Sequence, residues 1–148
     1  LKIVLDANVL VRAAGSPGGP AARLLREILD RPNCTLQTSP YILDEVEDVL
    51  SRPRLSSRWG LSSEAIAEYR LQLHRVSEVI EPAVGPPIVG RDAEDDAVFY
   101  TAVAGQADFL CTLDGHFRTP DVLAAAQRRG IEILSDKDLL VRLGTAEA

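Results

Sequence analysis

Short apolar runs alternate along the chain with longer stretches in which apolar residues recur every three or four positions. The runs at 2–6, 34–38, 78–81, 109–113 and 131–134 have the length and character of strands. The periodic stretches at about 20–31, 40–51, 62–76, 94–106, 121–129 and 136–143 predict helices. Strand followed by helix in this rhythm predicts an α/β fold with a mostly parallel central sheet. Pro and Gly mark the joints: "GSPGGP" at 15–20, Pro53, and "EPAVGPPIVG" at 81–90, the longest irregular piece. That piece falls inside a domain, so the 148 residues are read as one domain, 1–148, without an internal repeat.

The first apolar run carries an anomaly. In "LKIVLDANVLV" the residues Ile3, Val4 and Leu5 read as buried strand, and Val9, Leu10 and Val11 read as core again. Asp6 and Asn8 stand between them. Charged side chains are seldom buried unless they are paired or meet a cation. Asp6 with Asn8 is therefore either an Asx turn capping a helix or part of a site. "TLDGHF" repeats the arrangement, with Thr112 and Asp114 where another strand gives out, and "RDAEDD" at 91–96 opens a helix. In open α/β sheets, chemistry gathers outside the C-terminal ends of the strands. Acids at three such places favour a site.

Two helices supply the remaining candidates. In "SPYILDEVEDVLSRP", Ser39 is a suitable cap and Pro40 a suitable first residue. Ile42, Leu43, Val46, Val49 and Leu50 form one apolar arc, with Asp44 and Asp48 opposite it as a solvated face. Glu45 and Glu47 flank the arc, and the wheel leaves both open. In "RDAEDDAVFYTAVAG", Asp95 shares a face with Val98 and Ala102. Asp96 lies about 100° further round and is expected to face mostly solvent. Asp92 fits an N-cap, with support of the site as the rival reading. Glu94 reads as a solvated first-turn acid, close enough to the inward face to stay a candidate.

Charge narrows the class of function. The net charge is −6, from 22 acids against 16 bases, which argues against a generic duplex-binding protein. It does not exclude an enzyme that collects carboxylates around a metal. Like charges a few Å apart cannot all stay ionised without a counter-charge, and a hard divalent cation supplies one. Such an ion activates water and offsets charge on a phosphodiester. No nucleophilic Ser, Cys or Lys accompanies the acids, so metal-assisted hydrolysis is the expected reaction class. Arg12, Arg52, Arg54, Arg58 and Arg118 fall near the candidate acids, where a local basic rim would hold phosphate.

Other features add little chemistry. Cys34 and Cys111 are expected to be buried free thiols in a reducing cytoplasm. No His/Cys cluster suggests zinc. No apolar run has the length of a membrane span, and the N-terminus lacks the pattern of a signal peptide, so a cytoplasmic location is expected. His74 reads as a surface or packing residue. His116 stands two residues beyond Asp114, and substrate contact is the lesser reading of it.

With these residues assembled, the chain resembles the PIN-domain family, above all the small bacterial toxins of the toxin–antitoxin type. "IVLDANVLV", "SPYILDEVEDVL" and "RDAEDDAVFYTAVAGQADFLCTLDGHF" are similar to the family's four motifs in order. The resemblance implies a three-layer α/β/α fold around a parallel sheet and Mg²⁺- or Mn²⁺-dependent cleavage of RNA. It places the acidic quartet on Asp6, Glu45, Asp95 and Asp114, all metal-holding, with Glu45 holding the ion or orienting the attacking water. It favours Glu45 over Glu47. Asn8 and Thr112 match residues that orient the acids, and Asp92 and Asp96 are supporting residues. Asp96 departs from the Asn frequent in relatives. A small antitoxin partner and a homodimer are further implications.

Three rivals remain. A phosphorylated receiver domain would need a Lys late in the chain, for which Lys137 in "SDKDLL" is poorly placed. A haloacid-dehalogenase-type phosphatase would show Asp-x-Asp where this chain has Asp6-Ala7-Asn8. A catalytically silent PIN-like or receiver-like domain that only binds a partner is opposed by the four acids.

Overall fold

Ile3, Val4 and Leu5 are completely buried because β1 (Lys2–Leu5) occupies the centre of the sheet. A computed structural model describes residues 1–90 and 93–147, with side chains as far as residue 144. The strands β2 (Thr35–Thr38), β3 (Glu78–Val79), β4 (Phe109–Cys111) and β5 (Glu132–Leu134) complete a sheet of order β3-β2-β1-β4-β5. Every pairing is parallel: Ile3 sits opposite Leu36 on one side and Phe109 on the other. This order differs from the 2-1-3-4-5 order of receiver-like folds.

The helices are α1 (Ala7–Gly15), α2 (Pro20–Asp30), α3 (Pro40–Leu50), α4 (Pro53–Trp59), α5 (Ser63–Val76), α6 (Ala93–Ala104), α7 (Pro120–Arg128) and α8 (Asp136–Glu147). Crossovers of the usual right hand place α1 to α5 over one face on the way to β2 and β3. They carry α6 and α7 over the other face on the way to β4 and β5. The result is an α/β/α sandwich. Apolar residues at helical spacing make the layers cohere: Ala21, Leu24 and Ile28 of α2, Ile42, Leu43 and Val46 of α3, and Phe99 and Ala102 of α6 are all buried. Among the described residues, no helix is long and apolar enough to cross a membrane.

Two helices were not expected. Residues 9–11 are core, as read, but they belong to α1, whose buried residues are Ala7, Val9, Leu10 and Val11. A nine-residue helix lying on the sheet exposes too little polar face to show its period. Pro53 is not only a joint; it is the first residue of α4, a short helix with no fully buried residue, whose Leu55 and Trp59 are only partly buried against the core and leave no apolar stripe to read. The strands are also shorter than expected at their C-terminal ends, β4 stopping at Cys111 and β3 at Val79. After β4 the backbone leaves the sheet and brings Asp114 to the site. Cys111 is buried, and burial pushes its thiol up, whereas Cys34 is only half-buried, just ahead of β2.

Candidate active site

The site begins where β1 ends. Asp6 is the N-cap of α1: its Oδ1 accepts from the Ala7 N–H at 2.7 Å, satisfying one of the donors a helix start leaves over. Its Oδ2 accepts from the Thr112 hydroxyl at 2.7 Å and from Asn8 Nδ2 at 3.2 Å. One oxygen therefore caps the helix, and the other belongs to a polar knot at the end of β1. Asn8 ties the knot to the next strand end, accepting from the Leu113 N–H at 3.3 Å, and Thr112 Oγ1 accepts from the Asp114 N–H at 3.1 Å. Burial pushes the Asp6 carboxyl up to about 6, against the lowering bonds from Thr112 and Ala7, and nearby Asp95 and Asp114 add to the rise.

The opposite wall comes from two helices. Ser39 caps α3 by accepting from the Ile42 N–H, with Pro40 at the first position, and this sets the helix phase. Glu45 then points into the cleft, while Glu47 turns away to pair with Arg70 at 3.0 Å. Asp44 also reaches Arg70, and both Asp44 and Asp48 are exposed. Glu45 meets Glu94 of α6. Burial, followed by the bond to and charge of Glu94, pushes the Glu45 carboxyl up to about 7.

Asp95 and Asp96 separate, though not as expected. Asp95 lines the cleft on the face of Val98. Asp96 does not face solvent: it is 6% exposed, and its Oδ1 accepts from the N–H groups of Ile88 and Val89 at 3.0 and 2.8 Å. The wheel placed Asp96 away from the sheet's edge, but the 81–90 segment folds back over that side and brings its amides to the carboxylate. Tyr100 fastens the same segment through a bond to the Pro86 carbonyl at 2.6 Å. Asp92 lies outside the described residues.

Asp6, Glu45, Asp95 and Asp114 line one cleft of about 570 Å³ at the C-terminal edge of the sheet. Glu94 lines it too, so an acid read as solvated belongs to the wall. Tyr41 and Trp59 form part of the rim; Gly15 admits Trp59, since a Cβ there would stand 2.5 Å from the indole ring. The expected basic rim is narrower than read. Arg12 and Arg58 line the cleft, but Arg118 turns inward to donate to the Thr112 carbonyl at 2.7 Å, and Arg52 pairs with Asp48. His116 is closer to the acids than its sequence position alone conveyed. Its Nδ1 lies 3.5 Å from Asp95 Oδ2 and 3.4 Å from Asp114 Oδ1. One donor atom each from Asp95, Asp114 and His116 falls within 4.8 Å of the others, a spacing that fits a shared divalent ion.

No curated protein matches the chain. Among solved structures, the crystal structure of VapBC2 from Rickettsia felis bound to a DNA fragment from their promoter is similar in fold. The TM-score is 0.61 at 16% identity, covering 91% of this chain and 98% of that chain. The family model of the PIN domain matches residues 2–116, a span that runs from β1 to His116 and holds every acid of the cleft. By that match the chain belongs to the PIN domain family.

Proposed function

We propose that the protein is a Mg²⁺- or Mn²⁺-dependent endoribonuclease, the toxin of a toxin–antitoxin pair. One observation carries the reading: Asp6, Glu45, Asp95 and Asp114, from two strand ends and two helices, converge on one cleft at the C-terminal edge of a parallel sheet. Such a set needs a positive partner to stay ionised at neutral pH. Its oxygen donors suit a hard divalent ion, which Asp6, Asp95 and Asp114 would hold, with Glu45 facing them. When bound, the ion supplies a water of lowered pKa and offsets charge on the phosphodiester.

The chain's own groups do the rest. Thr112, Asn8 and the Ala7 amide hold the Asp6 carboxylate in one orientation. Glu45, whose carboxyl is pushed up by burial and by Glu94, would help hold the ion or orient the attacking water. Arg12 and Arg58 attract the RNA phosphate to the rim despite the net charge of −6. The likeness to VapBC2, a complex crystallised on promoter DNA, supports a small antitoxin as partner. A homodimer, a single domain over 1–148 and a cytoplasmic location belong to the same reading.

Incubation of the purified protein with labelled single-stranded RNA tests it. Cleavage is expected with Mn²⁺ or Mg²⁺ and not with EDTA. Asp95→Asn should abolish it at any Mg²⁺ concentration. Asp96→Asn should retain most of it, because an amide oxygen still accepts from Ile88 and Val89. Intact RNA under Mn²⁺, or an active Asp95→Asn enzyme, would sink the reading.

A further inference from the structure

We propose that His116 is a nitrogen ligand to the ion and biases the site toward Mn²⁺ over Mg²⁺. The inference rests on the metal-dependent reading above and adds a residue that the acidic quartet does not contain. His116 follows Asp114 in the 3-10 turn Gly115–Arg118. Its own N–H donates to Asp114 Oδ1 at 2.9 Å, so the turn that caps itself on Asp114 also fixes where the imidazole starts. The ring then reaches across to α6, with Nδ1 3.4 Å from Asp114 Oδ1 and 3.5 Å from Asp95 Oδ2.

Those separations favour one of two accounts of the imidazole. A charge-assisted N–H···O bond is about 2.7–2.9 Å long, and Nδ1 is further than that from both carboxylates. Two neighbouring ligands on one ion, each about 2.1 Å from it, stand about 3.0 Å apart, and two opposite ligands about 4.2 Å. The observed distances fall between those limits, and all three donor atoms lie within 4.8 Å of one another. Packing does not account for the position, since the side chain is 48% exposed.

The donor set then has a consequence for ion choice. Mn²⁺ shares the preference of Mg²⁺ for oxygen, but it is the larger and softer of the two and admits an imidazole nitrogen that Mg²⁺ gains little from. One imidazole added to the carboxylates suits Mn²⁺ better than Mg²⁺. His74, the other histidine of the chain, is exposed on α5 and offers no competing nitrogen to this cleft.

The test uses the untagged full chain and Mn²⁺ itself as the probe. Electron paramagnetic resonance titration gives the Mn²⁺ affinity, competition gives the Mg²⁺ affinity, and pulsed measurements detect an imidazole nitrogen coupled to bound Mn²⁺. The wild type and His74→Ala should both show the nitrogen coupling, and His116→Ala should lose it. Partners of metal ligands are themselves worth about 10–100-fold in affinity. His116→Ala should therefore weaken Mn²⁺ by about tenfold or more, with Mg²⁺ affinity nearly unchanged. Mn²⁺ bound in an Asp95-dependent manner without nitrogen coupling, and with equal affinity in His116→Ala, overturns this inference and leaves the metal-dependent reading standing. Absence of any Mn²⁺ binding overturns both.

Discussion

Asp6 and Asp96 are equally buried, each 6% exposed, yet the acids on the open side of the cleft face a different situation. The oxygens of the two buried acids are met by donors: Ala7, Thr112 and Asn8 around Asp6, Ile88 and Val89 around Asp96. Glu45 meets another acid, Glu94, and Asp114 holds a turn while remaining 29% exposed. The first kind fastens chain segments together, even where, as with Asp6, it also lines the cleft. The second kind keeps its charge directed at a space, and that space is where a cation or substrate gains most. A carboxylate's contribution to this fold is thus read from its donors, not from its depth.

The largest expected effect tests the structural side of that contrast. Asp96→Ala leaves the Ile88 and Val89 amides without their acceptor, which should cost about 2–4 kcal/mol in chemical denaturation. Glu45→Gln in metal-free buffer should cost nothing, or add a few tenths of a kcal/mol as repulsion from Glu94 is relieved. A loss under about 1 kcal/mol for Asp96→Ala would erase the distinction.

A smaller effect follows from pH. The folded Asp6 carboxyl titrates at about 6 against an ordinary 3.8, and that of Glu45 at about 7 against 4.5. Both folded carboxyls hold their protons more tightly than the unfolded chain does. Their share of stability is therefore greatest below pH 4 and is lost as pH rises toward 7. For Asp6 that share is of order 2–3 kcal/mol. Melting temperatures in EDTA should carry this decline, and Asp6→Asn should flatten it. Saturating Mn²⁺ should oppose the fall, because an ion that binds only the native state adds about 2.7 kcal/mol at a hundred times Kd. Equal Mn²⁺ shifts in wild type and Asp6→Asn would move the ion elsewhere.

The smallest effect separates burial from repulsion at Glu45. Glu94→Gln should lower the Glu45 midpoint from about 7 while leaving that of Asp6 in place, as followed by carboxyl-carbon NMR. If Glu45 does not move, burial alone holds it up, and the two walls of the cleft titrate independently.

What was legible in the sequence follows the range of the interactions. The strands at the centre of the sheet are short and, Lys2 apart, apolar, so β1 and β4 could be found from their apolar runs, and with them Asp6, Thr112 and Asp114 at their ends. Ser39 and Pro40 set the phase of α3 locally, which made Glu45 one of two candidates. Glu94 was harder to place, because the partner that defines its role is on another helix. Asp96 was misread for the same reason: its donors sit in an irregular segment whose path no helical wheel carries. Arg118 shows the limit from the other side, since a cation near the site by position spends its charge on the Thr112 carbonyl.

The bond from Thr112 to Asp6 joins residues 106 positions apart. Closing a loop of that size costs about 4 kcal/mol in chain entropy beyond a constant term, and only pairing of β4 with β1 meets that cost. On the ribosome, Asp6 and Glu45 emerge while Asp95 and Asp114 are still untranslated. A nascent chain halted before β4 holds two walls of a cleft that has no floor. The four acids share one cleft only after Asp114 has been made and β4 has joined β1.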